Sequence, residues 1–154
     1  MYRVKKFRVR TKEEIMKDLD ECRDYYGPYV SRVFFADGDA LVVRTELLLE
    51  LLAYVHKNFP YVERITSYGT AKDVLAKSEE DLKALAAAGL EMVYIGAESG
   101  DDRVLEHIHK DVTAAQIAAA GIFFIVGRFS MDFFPWTSLM PRDRMFVRLW
   151  EVAE

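Results

Sequence analysis

The chain is 154 residues long, 51% hydrophobic and 30% charged, with a formal net charge of −4. That is one domain's worth, enough to bury a core; the acidic balance leaves no electrostatic footprint for nucleic acid, no apolar run is long enough to span a bilayer, and the N-terminal stretch lacks the apolar core of a signal peptide. Cys22 is the only cysteine, which excludes an internal disulfide framework and a thiolate cluster held by these residues alone, and points to a reducing, cytoplasmic setting.

At the start, Arg3, Lys5, Lys6, Arg8 and Arg10 are interleaved with Val4, Phe7 and Val9, a pattern that predicts a short strand with a solvated basic face. Thr11-Lys12-Glu13-Glu14 is a capping box. It opens a helix to about Tyr26 with Ile15, Leu19 and Cys22 on one face, so Cys22 reads as packing. Gly27-Pro28 ends that helix, and Val30–Ala36 reads as a buried strand running into Asp37-Gly38-Asp39. Thr45 caps a leucine-rich helix through about Lys57, stopped by Asn58-Phe59-Pro60. Tyr61–Ser67 is the next strand, leading into Tyr68-Gly69-Thr70. Ser78-Glu79-Glu80-Asp81 opens another capped helix that ends at Gly89. Leu90–Gly96 is a further strand, running into Ala97-Glu98-Ser99-Gly100, followed by a helix over Asp101–Ile108 and a short one capped by Thr113. Ile122–Val126 is expected as the last strand. The final segment, aromatic-rich and broken by Pro135 and Pro141, shows no clear periodicity.

Strand, polar turn and helix in repetition predict an α/β fold with a parallel sheet. Ligands gather at the carboxyl ends of the strands in such sheets, so the polar turns are the candidate site. Asp37-Gly38-Asp39 has two readings: a hairpin turn, or a cradle in which Gly38 admits a ligand and the carboxylates bind an ammonium. Ser67 and the hydroxyls that follow it read as turn-makers or as ligand contacts. Ser99 can cap the helix at Asp101, whereas Glu98 has no structural duty in the sequence and suits a ribose hydroxyl pair. His107 and His109 are two apart and point to different sides of a helix, which argues against a metal pair. There is no phosphate loop of the GxxxxGK type.

Taken together, FFADGDAL, ITSYGT and YIGAESGDDRVLEHIHK resemble successive strand ends of the radical S-adenosylmethionine (SAM) superfamily, in its Elongator-type and methylthiotransferase-type branch. The likeness covers roughly Tyr2 to Gln116, and GAESGDDRVL is its most specific part. It implies parallel βα repeats forming part of a (βα)6 TIM-like barrel. It also implies that Asp37, Gly38 and Asp39 stand where the family binds the methionine ammonium of SAM, with Asp39 in place of the family's acid. Ser67 would lie near the methionine, and Glu98 and Ser99 would face the ribose and carboxylate.

Two departures accompany the resemblance. The family holds a 4Fe–4S cluster through a C-x3-C-x2-C loop after its first strand; Met1 stands immediately after the place where the third cysteine is expected, and Cys22 lies inside the following helix. Nothing beyond Gly127 resembles the family. The expectation is therefore a partial radical SAM-like domain over 1–127, with a divergent tail over 128–154. Such a fragment would belong to an enzyme that cleaves SAM reductively to a 5′-deoxyadenosyl radical, would be inactive alone, and would have a substrate the sequence does not name. Open sheet edges would favour self-association. The alternative is a non-catalytic α/β protein that binds a nucleotide or SAM, or serves as an interaction surface.

Overall fold

The computed structural model describes residues 7–126 and 144–152. A short strand β1 (Phe7–Val9) leads into α1 (Lys12–Tyr26), whose first turn is closed by the expected Thr11/Glu14 capping box. Arg8 forks onto the Glu14 carboxylate at 2.9 and 2.7 Å, and Arg10 pairs with Asp18. The basic face of β1 is thus spent in part on the acidic face of α1. Arg3, Lys5 and Lys6 lie outside the described residues.

Strand β2 (Arg32–Asp39) runs through the Asp-Gly-Asp stretch instead of stopping at Ala36. No hairpin follows. Asp39 caps a single 3-10 turn over Ala40–Val42, and α2 (Thr45–Asn58) comes next. Arg44, not Thr45, is the N-cap of α2, because Thr45 is turned inward and buried. Strand β3 (Arg64–Gly69) feeds α3 (Ala71–Ala76), a short helix with Thr70 as its cap. Then α4 (Glu79–Ala87), started by the Ser78/Asp81 capping box, leads to β4 (Leu90–Ile95) and α5 (Asp102–His107).

The expected strand at Ile122–Val126 is not formed: these residues end helix α6 (Ala114–Val126). Thr113 and Gln116 make a reciprocal cap, with the Thr113 N–H on Gln116 Oε1 at 2.8 Å and the Gln116 N–H on Thr113 Oγ1 at 3.2 Å. Once started, the helix carries its alanine-rich first half into the β-branched run, so strand propensity is overridden by context.

In the C-terminal segment, Pro135 and Pro141 lie outside the described residues, but Arg144–Arg148 (β5) and Trp150–Val152 (β6) are strands. The main sheet has the order β4-β3-β2-β5, and every neighbour is parallel. β6 pairs antiparallel with β1 in a separate ribbon. β2 is therefore not an edge: β5 lies along it from Arg32 to Ala36. Among the described residues the sheet is open, with alternating βα units, as in part of a TIM-like barrel.

Alternation along the strands separates two faces. Val33, Phe35, Ile65, Val93, Met145 and Val147 join Ile15 and Leu19 of α1, Leu48, Leu51, Leu52 and Val55 of α2, and Leu85 of α4 in one buried cluster. Each such side chain contributes about 1.5–3 kcal/mol by leaving water. The other face carries Phe34, Thr66, Tyr68, Met92 and Tyr94.

Candidate functional site

Because β2, β3 and β4 are parallel, the segments at their carboxyl ends emerge on one rim. With strands about 4.8 Å apart, the ends of β2 and β4 are separated by roughly 10 Å. Two carboxylates of the predicted set, Asp39 and Glu98, mark the two ends of that span.

At the β2 end, Gly38 has φ 138°, a conformation that side chains disfavour. It turns the backbone so that Asp39 reaches across to β3. Asp39 Oδ1 accepts the Leu41 N–H at 2.8 Å, and Oδ2 accepts the Thr70 N–H at 2.6 Å. The carboxylate thus ties the end of β2 to the end of β3. Burial first, and the neighbouring Asp73 carboxyl second, push the Asp39 carboxyl up to about 6, against the pull of the Thr70 and Leu41 N–H groups. Asp73 is fixed in turn by Thr70, whose hydroxyl accepts the Asp73 N–H at 3.1 Å. The side chain of Asp37 lies outside what the structure describes.

Ser67 is placed differently. It stands two residues before the end of β3, in register with Phe35 and Val93, on the face packed against the helices. Its hydroxyl is fully buried and has no hydrogen-bond partner among the described residues. Only the backbone of Ser67 can serve a ligand on the opposite face. That opposite face carries a cluster of rings: Phe34 lies 4.8 Å from Tyr68 and 6.0 Å from Tyr94.

At the β4 end, Glu98 takes φ 60°, unusual for a residue with a side chain. Its Oε1 lies 3.5 Å from Lys110 Nζ. Ser99 Oγ accepts the Asp101 N–H at 3.1 Å, while Asp101 itself caps α5 through the Arg103 N–H at 2.9 Å. Ser99 thus braces the cap rather than forming it.

The Thr70 hydroxyl, expected as a turn-maker, caps α3; sequence reasoning missed Asp73 and Lys110. Thr70-x-x-Asp73 directly after a strand has the form of a capping motif and was legible as such. Lys110 carried no local signal, since twelve residues separate it from Glu98.

A family model, that of the radical SAM superfamily, matches residues 2–122. The chain belongs to this superfamily. No curated protein matches it.

Radical SAM enzymes use SAM together with a 4Fe–4S cluster, and the residues here fit the two unequally. Three thiolates are needed for the cluster. The chain's single cysteine, Cys22, is half-buried in α1, and burial, followed by Asp18 and Glu21, pushes its thiol up, away from the thiolate form. Among the described residues no group of three or more His, Cys, Asp or Glu side chains is placed to hold a metal ion. The residues present do not fit the cluster. SAM is matched better: a carboxylate at each end of the rim suits an ammonium at one end and a hydroxyl pair at the other. No helix among the described residues is long and apolar enough to cross a membrane.

Proposed function

We propose that this chain is the SAM-binding portion of a radical SAM enzyme of the Elongator-type and methylthiotransferase-type branch, and that it binds SAM without cleaving it by itself. The observation that carries this reading is the superfamily match over residues 2–122 coinciding with Asp39 and Glu98 at the carboxyl ends of parallel strands. GAESGDDRVL supports the branch. Asp37, Gly38 and Asp39 would receive the methionine ammonium, the β3 backbone near Ser67 would flank the methionine, and Glu98 with Ser99 would meet the ribose and carboxylate. In this superfamily SAM supplies a 5′-deoxyadenosyl radical once a cluster reduces it, and the single cysteine of these 154 residues, packed inside α1, supplies none of the three thiolates that the cluster needs. The match ends at residue 122, which supports a boundary near 127 between the family-like portion and a divergent C-terminal segment. A cytoplasmic setting agrees with the lone unpaired cysteine.

Isothermal titration with SAM and with S-adenosylhomocysteine tests the site. Asp39→Asn and Glu98→Gln are each expected to weaken binding about tenfold, as for a lost charge-assisted hydrogen bond. Unchanged affinity in both variants would refute the assignment. Anaerobic reconstitution tests the second half: iron should remain well below one cluster per chain, and formation of 5′-deoxyadenosine under a strong reductant would overturn it.

The single cysteine also favours a second reading, a non-catalytic SAM or nucleotide binder. Fusing a strand and C-x3-C-x2-C loop upstream separates the two. Cluster loading with SAM cleavage supports the enzyme portion, whereas SAM binding without cleavage supports the binder. The edges of the described sheet, β4 and β5, are where either form would self-associate, and light scattering across a concentration series reads that directly.

A further inference from the structure

Residues 28–32 and 60–64 read PYVSR and PYVER, one motif repeated at the entries to β2 and β3. In each copy the valine goes inward, Val30 at 1% exposure and Val62 half-buried against the core, while the tyrosine and the arginine stay outside. Because β2 and β3 are parallel neighbours, the two copies come side by side at the amino end of the sheet, opposite the rim that carries Asp39 and Glu98. The Glu63 N–H bonds the Ser31 carbonyl at 2.8 Å and fixes their register. Tyr29 stacks on Tyr61 with ring centroids 5.3 Å apart and 20° between the planes, yet the two residues remain 72% and 57% exposed. Tyr25 and Tyr26, in the last turn of α1 just before the entry to β2, are exposed as well.

The charges of the two copies are left unmatched. Arg32 stands in backbone register with Arg64 on one side and with Arg144 of β5 on the other, on strands about 4.8 Å apart. Like charges opposite each other destabilise a sheet. Arg64 is matched by Glu91 at 3.0 Å. Arg32 is exposed and has no hydrogen bond or ion pair among the described residues. Glu63, also exposed, has no side-chain partner among them either. Arg32 thus lacks an acid that the fold does not supply, and the same patch displays an acid that the fold does not use. A run of phosphates is a poor match, since Arg32 and Glu63 together offer it no net charge. A patch that holds exposed rings, one free cation and one free anion is instead complementary to itself, as a two-fold contact requires.

We propose that the amino end of the sheet is an interface for a second copy of this chain, with Arg32 of each protomer on Glu63 of the partner subunit and the stacked tyrosines packed at the centre. Tyrosine and arginine are the residues enriched in interface cores, and an arginine fork takes a carboxylate in two parallel hydrogen bonds. A contact of this kind closes at two copies. It leaves the rim with Asp39 and Glu98 open to ligand in both protomers, and it does not use the sheet edges.

Sedimentation equilibrium at concentrations up to about 500 μM, enough to populate a small interface, tests this. The wild type should fit a monomer–dimer equilibrium. Arg32→Glu and Glu63→Arg each set like charges against each other at both symmetric contacts, and each should weaken the dimer at least about tenfold. An equimolar mixture of the two variants regains opposite charges at both contacts, and should dimerise within about threefold of wild type. Tyr61→Ala should weaken the dimer about tenfold, as for an aromatic at the centre of an interface. All three residues are exposed, so the core is untouched, and circular dichroism of the dilute chains should match wild type. If a reversal does not fold, Arg32→Gln and Glu63→Gln carry the same comparison: each should lose about threefold, and the double variant no more than either. A wild type that stays monomeric throughout the range would overturn the inference. So would a dimer that both reversals leave intact, which would place association at the β4 or β5 edge. A mixture that stays as weak as its two components would overturn it too, since Arg32 and Glu63 would then not meet.

Discussion

Replacing Asp73 by Asn should stabilise the protein above pH 6 and leave it nearly unchanged near pH 4. Asp39 titrates at about 6 in the fold, through burial first and Asp73 second, against about 3.9 in an unfolded chain. A raised carboxyl pKa means that the folded state holds the proton more tightly. Its contribution is complete below pH 4, is lost as pH rises from about 4 through 6, and is absent above. A shift of about two units corresponds to at most about 3 kcal/mol. Asp39 is partly exposed and burial is the larger cause, so the share removed with Asp73 is about 1 kcal/mol. Asparagine keeps the shape of Asp73 and can donate to Asp39 where a second carboxylate cannot. The loss of a negative charge from the first turn of α3 subtracts a few tenths of a kcal/mol. Urea unfolding at pH 4.5 and 8.0 reads the difference. Equal effects at the two pH values, or destabilisation at pH 8.0, would refute the coupling between the two carboxylates.

Two further substitutions probe the same architecture. Ser67→Ala removes a buried hydroxyl that has no partner among the described residues, and should be neutral or stabilising by up to about 1 kcal/mol in thermal unfolding; a loss beyond about 1 kcal/mol would show that the hydroxyl is engaged. Val147→Ala should cost about 1–3 kcal/mol, because Met145 and Val147 of β5, with Leu149 just after it, are buried in the core. A cost below about 0.5 kcal/mol would mean that β5 does not sit on β2 in solution.

The βα order was legible because each strand is a short apolar run and most helices announce themselves with a cap. Thr11 with Glu14, and Ser78 with Asp81, did so within four residues. What failed were features set by distant partners. Ile122–Val126 looks like a strand by residue type, yet its state is decided upstream, at Thr113 and Gln116. The alternation Met145, Val147, Leu149 was present in the sequence but is masked by Phe146 and Trp150 between and beside its members. Asp37-Gly38-Asp39 has the composition of a hairpin turn. Its course as the end of a parallel strand depends on Thr70, thirty-one residues after Asp39, whose N–H donates to the Asp39 carboxylate. The side-chain direction of Ser67 follows from strand register, which the sequence alone left open by one residue.

Asp39 also decides how the site should respond to acid. Its two oxygens each accept one backbone N–H, so the carboxylate is held in one orientation before a ligand arrives, and an ionised carboxylate has further acceptor sites beyond these two. An ammonium binds the ionised form, whereas the fold favours the protonated one until pH passes about 6. If Asp39 receives the ammonium, the apparent affinity for S-adenosylhomocysteine equals the intrinsic affinity multiplied by the ionised fraction. That fraction is about one tenth at pH 5 and about nine tenths at pH 7. Titration calorimetry should therefore show binding about tenfold weaker at pH 5 than at pH 7, with proton release on binding near pH 6. In Asp73→Asn the dependence should shift to lower pH, since one cause of the raised pKa is removed. Methylthioadenosine, which has no ammonium, should bind with little change over the same range. An S-adenosylhomocysteine affinity that is flat between pH 5 and 7 would place the ammonium away from Asp39. The carboxylate would then be a structural tie between β2 and β3, leaving Glu98 as the ligand-facing acid of the rim.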